Sequence, residues 1–197
     1  MPTKERIEKA TKVLSCRQSD LRIVLEDITN THNASAVIRT CDAAGVLNLD
    51  IISSSQEPLL VNKAISTRAE KWIQFHYYSS TSDCLRQLKE KGFKIAVTCL
   101  RGESLLYTAL DYTQPIAIVF GNESEGISKE ALELADYKIS IPMIGMVHSL
   151  NLSVSVGIIL YEALKQRWAK GLYKKRRLSP EEFDALLKKW LAKSNEK

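Results

Sequence analysis

Short apolar runs alternate with amphipathic segments along most of this chain. The apolar runs are rich in Val, Ile, Leu and aromatic residues, which is typical of strands, and they occupy residues 21–25, 47–52, 72–78, 93–99, 116–120 and 138–141. Between them, apolar positions recur at helical spacing and predict helices over residues 4–15, 33–44, 82–91, 128–135 and 152–166, with a final helix after Ser179. This alternation, with short uninterrupted apolar strands, predicts an α/β fold: a mostly parallel sheet covered by helices on both faces.

The 197 residues divide by charge into a body and two ends. Residues 1–17 carry a net charge of +3, residues 18–164 carry −5, and residues 165–197 carry +7. We therefore expect a central domain over residues 18–165, a basic N-terminal helix over 1–17 and a basic helical extension over 166–197. Basic ends around an acidic body favour a nucleic acid as partner, although solvated helix faces would explain either end alone.

The composition argues against several other classes of protein. Hydrophobic residues make up 45% of the chain and charged residues 26%, which is typical of a globular protein, and no apolar run reaches transmembrane length. The first residues do not resemble a signal peptide, so we expect a cytosolic protein without a membrane anchor. The four cysteines and three histidines are scattered, which favours buried thiols in a reducing compartment and no metal site.

Three polar clusters follow predicted strands, at the end of the sheet where open α/β folds bind ligands. The first cluster runs from Asn33, at the start of a helix, to Arg39, which lies in an otherwise apolar helix. An arginine in that setting usually pairs with a nearby carboxylate, here Asp42, so a functional role for Arg39 competes with a structural one.

The second cluster is the glycine loop at residues 121–126, Gly-Asn-Glu-Ser-Glu-Gly. It lacks the G-x-G-x-x-G spacing of dinucleotide-binding loops and the lysine of a nucleotide triphosphate loop, and its two carboxylates would repel phosphate. The loop therefore favours a ligand without phosphates. A nucleotide-binding dehydrogenase is only a distant alternative.

The third cluster follows an apolar run that breaks at Pro142 and Gly145. Hydroxyl and amide side chains then lie among apolar neighbours, at Ser149, Asn151, Ser153 and Ser155. A buried polar group without a partner costs about 1–3 kcal/mol, so a pure core segment would not contain so many. The stretch over residues 141–155 therefore predicts backbone and small side chains that close around a ligand.

In their order and spacing, the three clusters resemble the motifs of the TrmH (SpoU) family, within the SPOUT superfamily of RNA methyltransferases. The matching segments are residues 33–45, 118–126 and 139–155. The resemblance implies a parallel sheet whose C-terminal part forms a trefoil knot, in a homodimer. It also implies S-adenosylmethionine as cofactor and methyl transfer to a ribose 2′-hydroxyl of RNA.

The resemblance implies roles for individual residues. Arg39 matches the catalytic arginine, which we expect to orient an RNA phosphate and stabilise developing charge, because a guanidinium is a poor base. We expect Asn33 to position Arg39 or the ribose, Ser149 and Asn151 to shape the pocket, and Glu123 to hold the loops or the partner subunit. The positions that match cofactor-binding residues are Thr98, Leu100, Gly121, Ile141, Met143 and Leu150.

The RNA substrate follows from the two ends of the chain. Family members with a short N-terminal helix and a basic C-terminal extension methylate guanosine 18 in the D-loop of tRNA, and we expect that substrate here. Ribosomal RNA or another tRNA position is the first alternative, and a non-catalytic RNA-binding dimer is a second. The basic residues expected to contact RNA are Arg6, Arg17, Arg167, Lys174, Lys175, Arg176 and Arg177.

Overall fold

The computed structural model of the protein describes residues 2–55, 61–99 and 103–192. Its strands are β1 (Gln18–Glu26), β2 (Val46–Ile52), β3 (Gln74–Tyr78), β4 (Lys94–Thr98), β5 (Leu105–Leu106), β6 (Ile116–Phe120) and β7 (Tyr137–Ser140). Its α-helices are α1 (Lys4–Ser15), α2 (Thr31–Ala44), α3 (Lys63–Ser66), α4 (Thr81–Glu90), α5 (Lys129–Leu134), α6 (Leu152–Ala169) and α7 (Pro180–Ala192).

The seven strands form one sheet in the order β3-β2-β1-β6-β4-β7-β5, and each strand pairing between described residues is parallel. The predicted α/β fold with a parallel sheet is therefore confirmed. Strands β2 and β3 extend the sheet to one side of β1, and strands β4 to β7 extend it to the other. Open α/β sheets bind ligands where the strand order changes direction, which here is beyond the carboxyl ends of β1 and β6, where Leu25 lies opposite Phe120.

Helices cover both faces of the sheet because successive strand residues point to opposite sides. On one face, α2 and α6 pack against the strands through residues such as Val37 and Ile159, which share a core with Ile118. On the other face, α4 and α5 pack over a second core that contains Leu85 and Val119. The carboxyl ends of the strands stay uncovered between these layers.

The two ends of the chain pack against each other in a third, smaller core. Leu14 of α1, Phe183 and Trp190 of α7, and Leu47 of β2 are all buried there. Helix α7 begins in a capping box, in which Glu182 N–H donates to Ser179 Oγ and Ser179 N–H donates to a Glu182 carboxylate oxygen.

The predicted elements all occur, with boundaries within a few residues of those expected. Among the strands and α-helices of the described residues, two short ones were not predicted: β5, which pairs with β7, and α3. Helix α6 runs through residue 165, so the basic segment begins inside this helix and not after it. The division into a central domain and two extensions stays a prediction. Among the described residues, no helix is long and apolar enough to span a bilayer.

Candidate active site

Three side chains from the three sequence clusters are joined by hydrogen bonds in the segments that follow β1, β6 and β7. Asn33 Nδ2 donates to Glu123 Oε1 across 3.0 Å, and Asn151 Nδ2 donates to Asn33 Oδ1 across 2.9 Å. Asn33 is 9% exposed, whereas Glu123 and Asn151 reach its amide from the surface. The structure thus brings together three of the five predicted catalytic-site residues.

Two helix starts place these side chains. Asn30 caps α2 by accepting from the N–H groups of His32 and Asn33, and Asn151 caps α6 by accepting from Ser153 N–H at 2.8 Å. Because α2 and α6 pack side by side on the same face of the sheet, their N-termini lie close enough for Asn33 and Asn151 to bond. Asn151 therefore caps a helix with its oxygen and holds Asn33 with its nitrogen.

The glycine loop has a closed shape that depends on Gly121. A β-carbon added at Gly121 would lie 2.2 Å from the backbone oxygen of Gly126 and 2.5 Å from the nitrogen of Ile127. Asn122 stabilises the same loop, because its Oδ1 accepts from Ser124 N–H while its Nδ2 donates to the backbone oxygen of Asp27 at 2.7 Å. Only glycine permits this close approach at position 121.

Glu26 anchors the far side of the glycine loop, and sequence reasoning did not single it out. It ends β1, is 2% exposed, and accepts hydrogen bonds from Ser128 N–H, Ser128 Oγ and Thr81 Oγ1. Ser128 also caps α5 by accepting from Ala131 N–H, so one residue links the loop, the sheet and a helix start. The only signal in the sequence is a carboxylate that ends an apolar strand.

The predicted cofactor-binding residues occupy the neighbouring strand ends. Thr98 ends β4 and donates from Oγ1 to the backbone oxygen of Val119, while Gly121 and Ile141 directly follow β6 and β7. Met143 and Leu150, like Thr98 and Ile141, are only half-buried. Leu100 lies outside the described residues.

These residues fit S-adenosylmethionine better than a nucleotide. The half-buried Ile141, Met143 and Leu150 offer apolar surface for an adenosine and a methionine chain, and the Thr98 hydroxyl adds a polar group. The loop beside them carries two carboxylates, Glu123 and Glu125, and no basic side chain. A sulfonium cation is attracted to such a loop, whereas a phosphate is repelled by it.

Arg39 lies outside the hydrogen-bonded group. It is exposed, and its side chain has no hydrogen bond or ion pair within the described ranges. The structural alternative, a pair with Asp42, is wrong because Asp42 pairs with Arg17 instead. Six residues separate Arg39 from Asn33 on α2, so their side chains point about 120° apart around the helix axis. Ser149 is likewise exposed, with no hydrogen bond in the described part of the chain.

Two of the residues predicted to contact RNA are corrected by the structure. Arg17 is 1% exposed and bonds to Asp42 and to the Val46 carbonyl, and Arg167 is 0% exposed. The Arg167 guanidinium donates to Gln18 Oε1, Asp20 Oδ1 and three backbone carbonyls. Both guanidinium groups are therefore used to hold the ends of the chain to the sheet, and neither is accessible to a phosphate.

The other basic residues predicted to contact RNA lie at the surface. Arg6, Lys174, Lys175 and Arg176 are exposed, and Arg177 is half-buried and paired with Asp20. Arg6 also lines a cavity of about 840 Å³ between α1 and α7, together with Lys9, Trp72 and Trp190. RNA contact by these residues stays a prediction.

The described residues offer neither a reactive thiol on α2 nor a cluster of metal ligands. Burial raises the pKa of the Cys41 thiol on α2 to about 12, so that thiol stays protonated and inert at neutral pH. In the described ranges, no three His, Cys, Asp or Glu side chains lie together as metal ligands would.

The parallel sheet carries its polar loops where the strand order changes direction, between β1 and β6. This is the architecture of a cofactor-binding α/β enzyme, and comparison with known proteins identifies the family. Residues 20–161 match the model of the SpoU rRNA Methylase family. The chain belongs to this family. It is 43% identical, over 94% of its own length and 88% of the relative's, to a protein of Aquifex aeolicus named tRNA (guanosine(18)-2'-O)-methyltransferase.

Two solved structures extend the comparison. The A. aeolicus TrmH/SpoU tRNA modifying enzyme superposes with a TM-score of 0.93 at 42% identity, covering 98% of each chain. The SpoU methyltransferase AviRb of Streptomyces viridochromogenes, solved in complex with the cofactor AdoMet, has a TM-score of 0.69 at 25% identity. That match covers 86% of this chain and 67% of AviRb.

Proposed function

We propose that this protein transfers the methyl group of S-adenosylmethionine to the ribose 2′-hydroxyl of guanosine 18 in tRNA. The observation that carries the proposal is the hydrogen-bonded group of Asn33, Glu123 and Asn151, which joins the three family motifs at the switch point of the sheet. The name of the A. aeolicus relative and its near-complete coverage support the choice of tRNA guanosine 18. Such an enzyme acts in the cytoplasm.

The reaction is a single displacement. Bound S-adenosylmethionine supplies an electrophilic methyl group on a sulfonium centre. With the cofactor bound, the ribose 2′-oxygen would take the methyl group as the carbon–sulfur bond breaks, the hydroxyl proton would pass to water, and S-adenosylhomocysteine would leave. Arg39 acts by holding an RNA phosphate and by stabilising the charge that develops on the 2′-oxygen. Asn33 and Asn151 order the loops around that oxygen.

A second copy of the chain completes the protein. Ile144 and Met146 are each 95% exposed, and α6 carries Val154, Tyr161 and Trp168 on one side at intervals of seven residues. Large apolar side chains exposed in this number favour a partner in solution, and a homodimer covers them on both copies at once. The direction of Arg39, away from Asn33, supports a site to which both copies contribute.

The C-terminal part of the domain forms a trefoil knot in this proposal. Strand β7 lies between β4 and β5 in the sheet, although β5 and β6 precede it in the chain. The segment over residues 141–151 then leads from β7 to α6, which packs on the opposite side of the molecule from α4 and α5. Insertion of a late strand between two earlier ones supports a threaded path.

A methylation assay tests the proposal. Labelled S-adenosylmethionine is incubated with tRNA that carries guanosine 18, with tRNA in which that guanosine is replaced, and with ribosomal RNA. We expect label only in the first RNA, recovered as a nuclease-resistant dinucleotide. Label at another position, or only in ribosomal RNA, would overturn the substrate. Cofactor binding without transfer to any RNA would indicate a non-catalytic RNA-binding protein.

Arg39→Ala tests the active site in the same assay. We expect cofactor affinity to stay unchanged while kcat falls by about 10²–10³, the usual effect of removing one charge-stabilising donor. Arg86→Ala, which removes an exposed arginine from α4 on the opposite face of the sheet, is the matched control and should leave kcat unchanged. Wild-type turnover of the Arg39 variant would remove this residue from the mechanism.

A further inference from the structure

Thr67 and Arg68 form a strained turn directly after α3. Thr67 has φ 51° and ψ 35°, and Arg68 has φ 65° and ψ 20°, so both residues adopt the left-handed conformation. Neither residue is glycine and threonine is β-branched, so both positions are strained relative to ordinary backbone. Such strain persists only where the surrounding contacts maintain it.

The contacts on both sides of the turn maintain it. Ser66 is fully buried and donates from Oγ to a Glu70 carboxylate oxygen at 2.5 Å, while Thr67 Oγ1 donates to the Ser66 carbonyl at 2.8 Å. Ala69 is 3% exposed and belongs to the same core as α2. Buried residues therefore flank the turn, and the Arg68 side chain is left exposed with no hydrogen bond or ion pair in the described ranges.

The segment that leads into the strained turn contacts α2 one helical turn before Arg39. The N–H of Asn62, which caps α3, donates to Ser35 Oγ of α2 at 2.8 Å. Arg39 follows Ser35 by four residues, and residues four apart are neighbours on one side of a helix. Two exposed, unpaired arginines, Arg39 and Arg68, therefore project from adjoining elements.

We propose that Arg68 is a phosphate-binding residue of the active site, which contacts the RNA backbone beside the ribose served by Arg39. A guanidinium donates two parallel hydrogen bonds to a phosphate, and a fixed backbone conformation orients those donors before the RNA binds. A glycine would adopt the same turn without strain, so the fold itself does not require arginine at this position. The inference rests on the proposed function, because it needs an RNA as substrate.

Arg68→Gly tests the proposal, because it removes the guanidinium and the strain together. We expect an equal or higher Tm, an unchanged KM for S-adenosylmethionine and a KM for tRNA raised about tenfold, the value of one charge-assisted phosphate contact. The slope of log binding constant against log salt concentration, measured with tRNA in the absence of S-adenosylmethionine, should become smaller in magnitude by about 1, the contribution of one phosphate contact. Arg68→Lys should give an intermediate KM, and Arg86→Ala should match the wild type.

Three results would overturn the role of Arg68. The first is a wild-type KM and salt slope for Arg68→Gly, which would leave the side chain without an RNA contact. The second is a lower Tm with weaker cofactor binding, which would make the residue structural. The third is a changed mass in sedimentation, which would place Arg68 at a subunit interface. Absence of methyl transfer by the wild-type protein would instead refute the proposed function, while the salt slope still reports on Arg68.

Discussion

Asn33 Nδ2 donates to Glu123 Oε1 across 3.0 Å, while the Oδ1 of the same amide accepts from Asn151. The direction of the Asn33 amide is fixed by these partners, because a carboxylate accepts hydrogen bonds and cannot donate one when ionised. The three residues belong to segments far apart in the chain. These two hydrogen bonds can therefore form only when the three segments have packed together into the site.

Asn33→Asp should break this assembly, because it places a second carboxylate against Glu123. We expect the free energy of unfolding to fall by about 1–3 kcal/mol and methyl transfer to fall with it. Glu123→Gln, added to the same chain, supplies an amide donor for the new carboxylate at position 33 and should restore part of both losses. A double-mutant cycle in urea measures the coupling between the two sites.

Gln87→Glu, on the exposed side of α4, adds the same negative charge away from the site and serves as the control. It should change neither unfolding nor transfer. Independent, additive effects of Asn33→Asp and Glu123→Gln would mean that the hydrogen bond between the two residues contributes nothing to the assembled site.

Gly121→Ala should open the glycine loop. The added β-carbon would overlap the backbone of Gly126, which cannot move aside as a flexible side chain can. We expect the affinity for S-adenosylmethionine to fall at least about tenfold by calorimetry, because about 1.4 kcal/mol of loop distortion already has that effect. The secondary structure should stay intact.

Gly126→Asn is the matched control. Gly126 has φ +78°, which asparagine tolerates, and no atom lies within 4 Å of its added β-carbon. This variant should bind the cofactor nearly as the wild type does. Equal losses for both variants would show that the loop depends on backbone freedom in general and not on the close approach at position 121.

The sheet was predictable from the sequence because parallel strands buried on both faces are almost continuously apolar. The strand over 116–120 and its helical neighbours follow from that pattern alone. Strand β5, with only Leu105 and Leu106, and the four-residue α3 are too short to produce a period. Their positions depend on pairing with distant segments.

The sequence allowed the three motifs of the site to be predicted, but not the hydrogen bonds that join them. Asn33 and Asn151 are 118 residues apart, and only the packing of α2 against α6 shows that they bond. Arg17 and Arg167 were placed on the RNA surface because a charge count contains no information on burial. Their acceptors include Asp42 and Asp20, and the Arg167–Asp20 bond joins residues 147 apart in the chain.

Glu26→Gln should loosen the glycine loop by weakening the hydrogen bonds between Glu26 and Ser128, which follows the loop. One carboxylate accepts from Ser128 N–H, Ser128 Oγ and Thr81 Oγ1, whereas an amide oxygen cannot serve all three donors. We expect the free energy of unfolding to fall by about 1–3 kcal/mol, together with a higher KM for S-adenosylmethionine. Urea unfolding and steady-state kinetics measure the two effects separately.

Thr81→Val separates the loop from general stability. It removes one donor to Glu26 on the α4 side and leaves both bonds to Ser128 in place. Its unfolding free energy should fall to a similar degree, with no change in the KM for the cofactor. A raised KM in both variants would mean that stability alone, and not the anchored loop, governs cofactor binding.

Arg167→Ala and Lys175→Ala should have opposite phenotypes, although both remove one positive charge from the basic segment. Arg167 is fully buried and donates to Asp20, Gln18 and three carbonyls, so its loss leaves several buried acceptors unpaired. We expect the free energy of unfolding to fall by about 3–5 kcal/mol, as for other broken buried ion pairs. Lys175 is exposed, and its loss should leave unfolding unchanged.

The two variants should also differ in their affinity for tRNA and in the salt dependence of tRNA binding. Lys175→Ala should weaken binding and reduce the salt dependence by about one phosphate contact. The folded fraction of Arg167→Ala should keep the wild-type salt slope, because a buried guanidinium releases no counterion when RNA binds. A reduced salt slope for Arg167→Ala, with wild-type stability, would indicate that Arg167 contacts RNA and would contradict its burial.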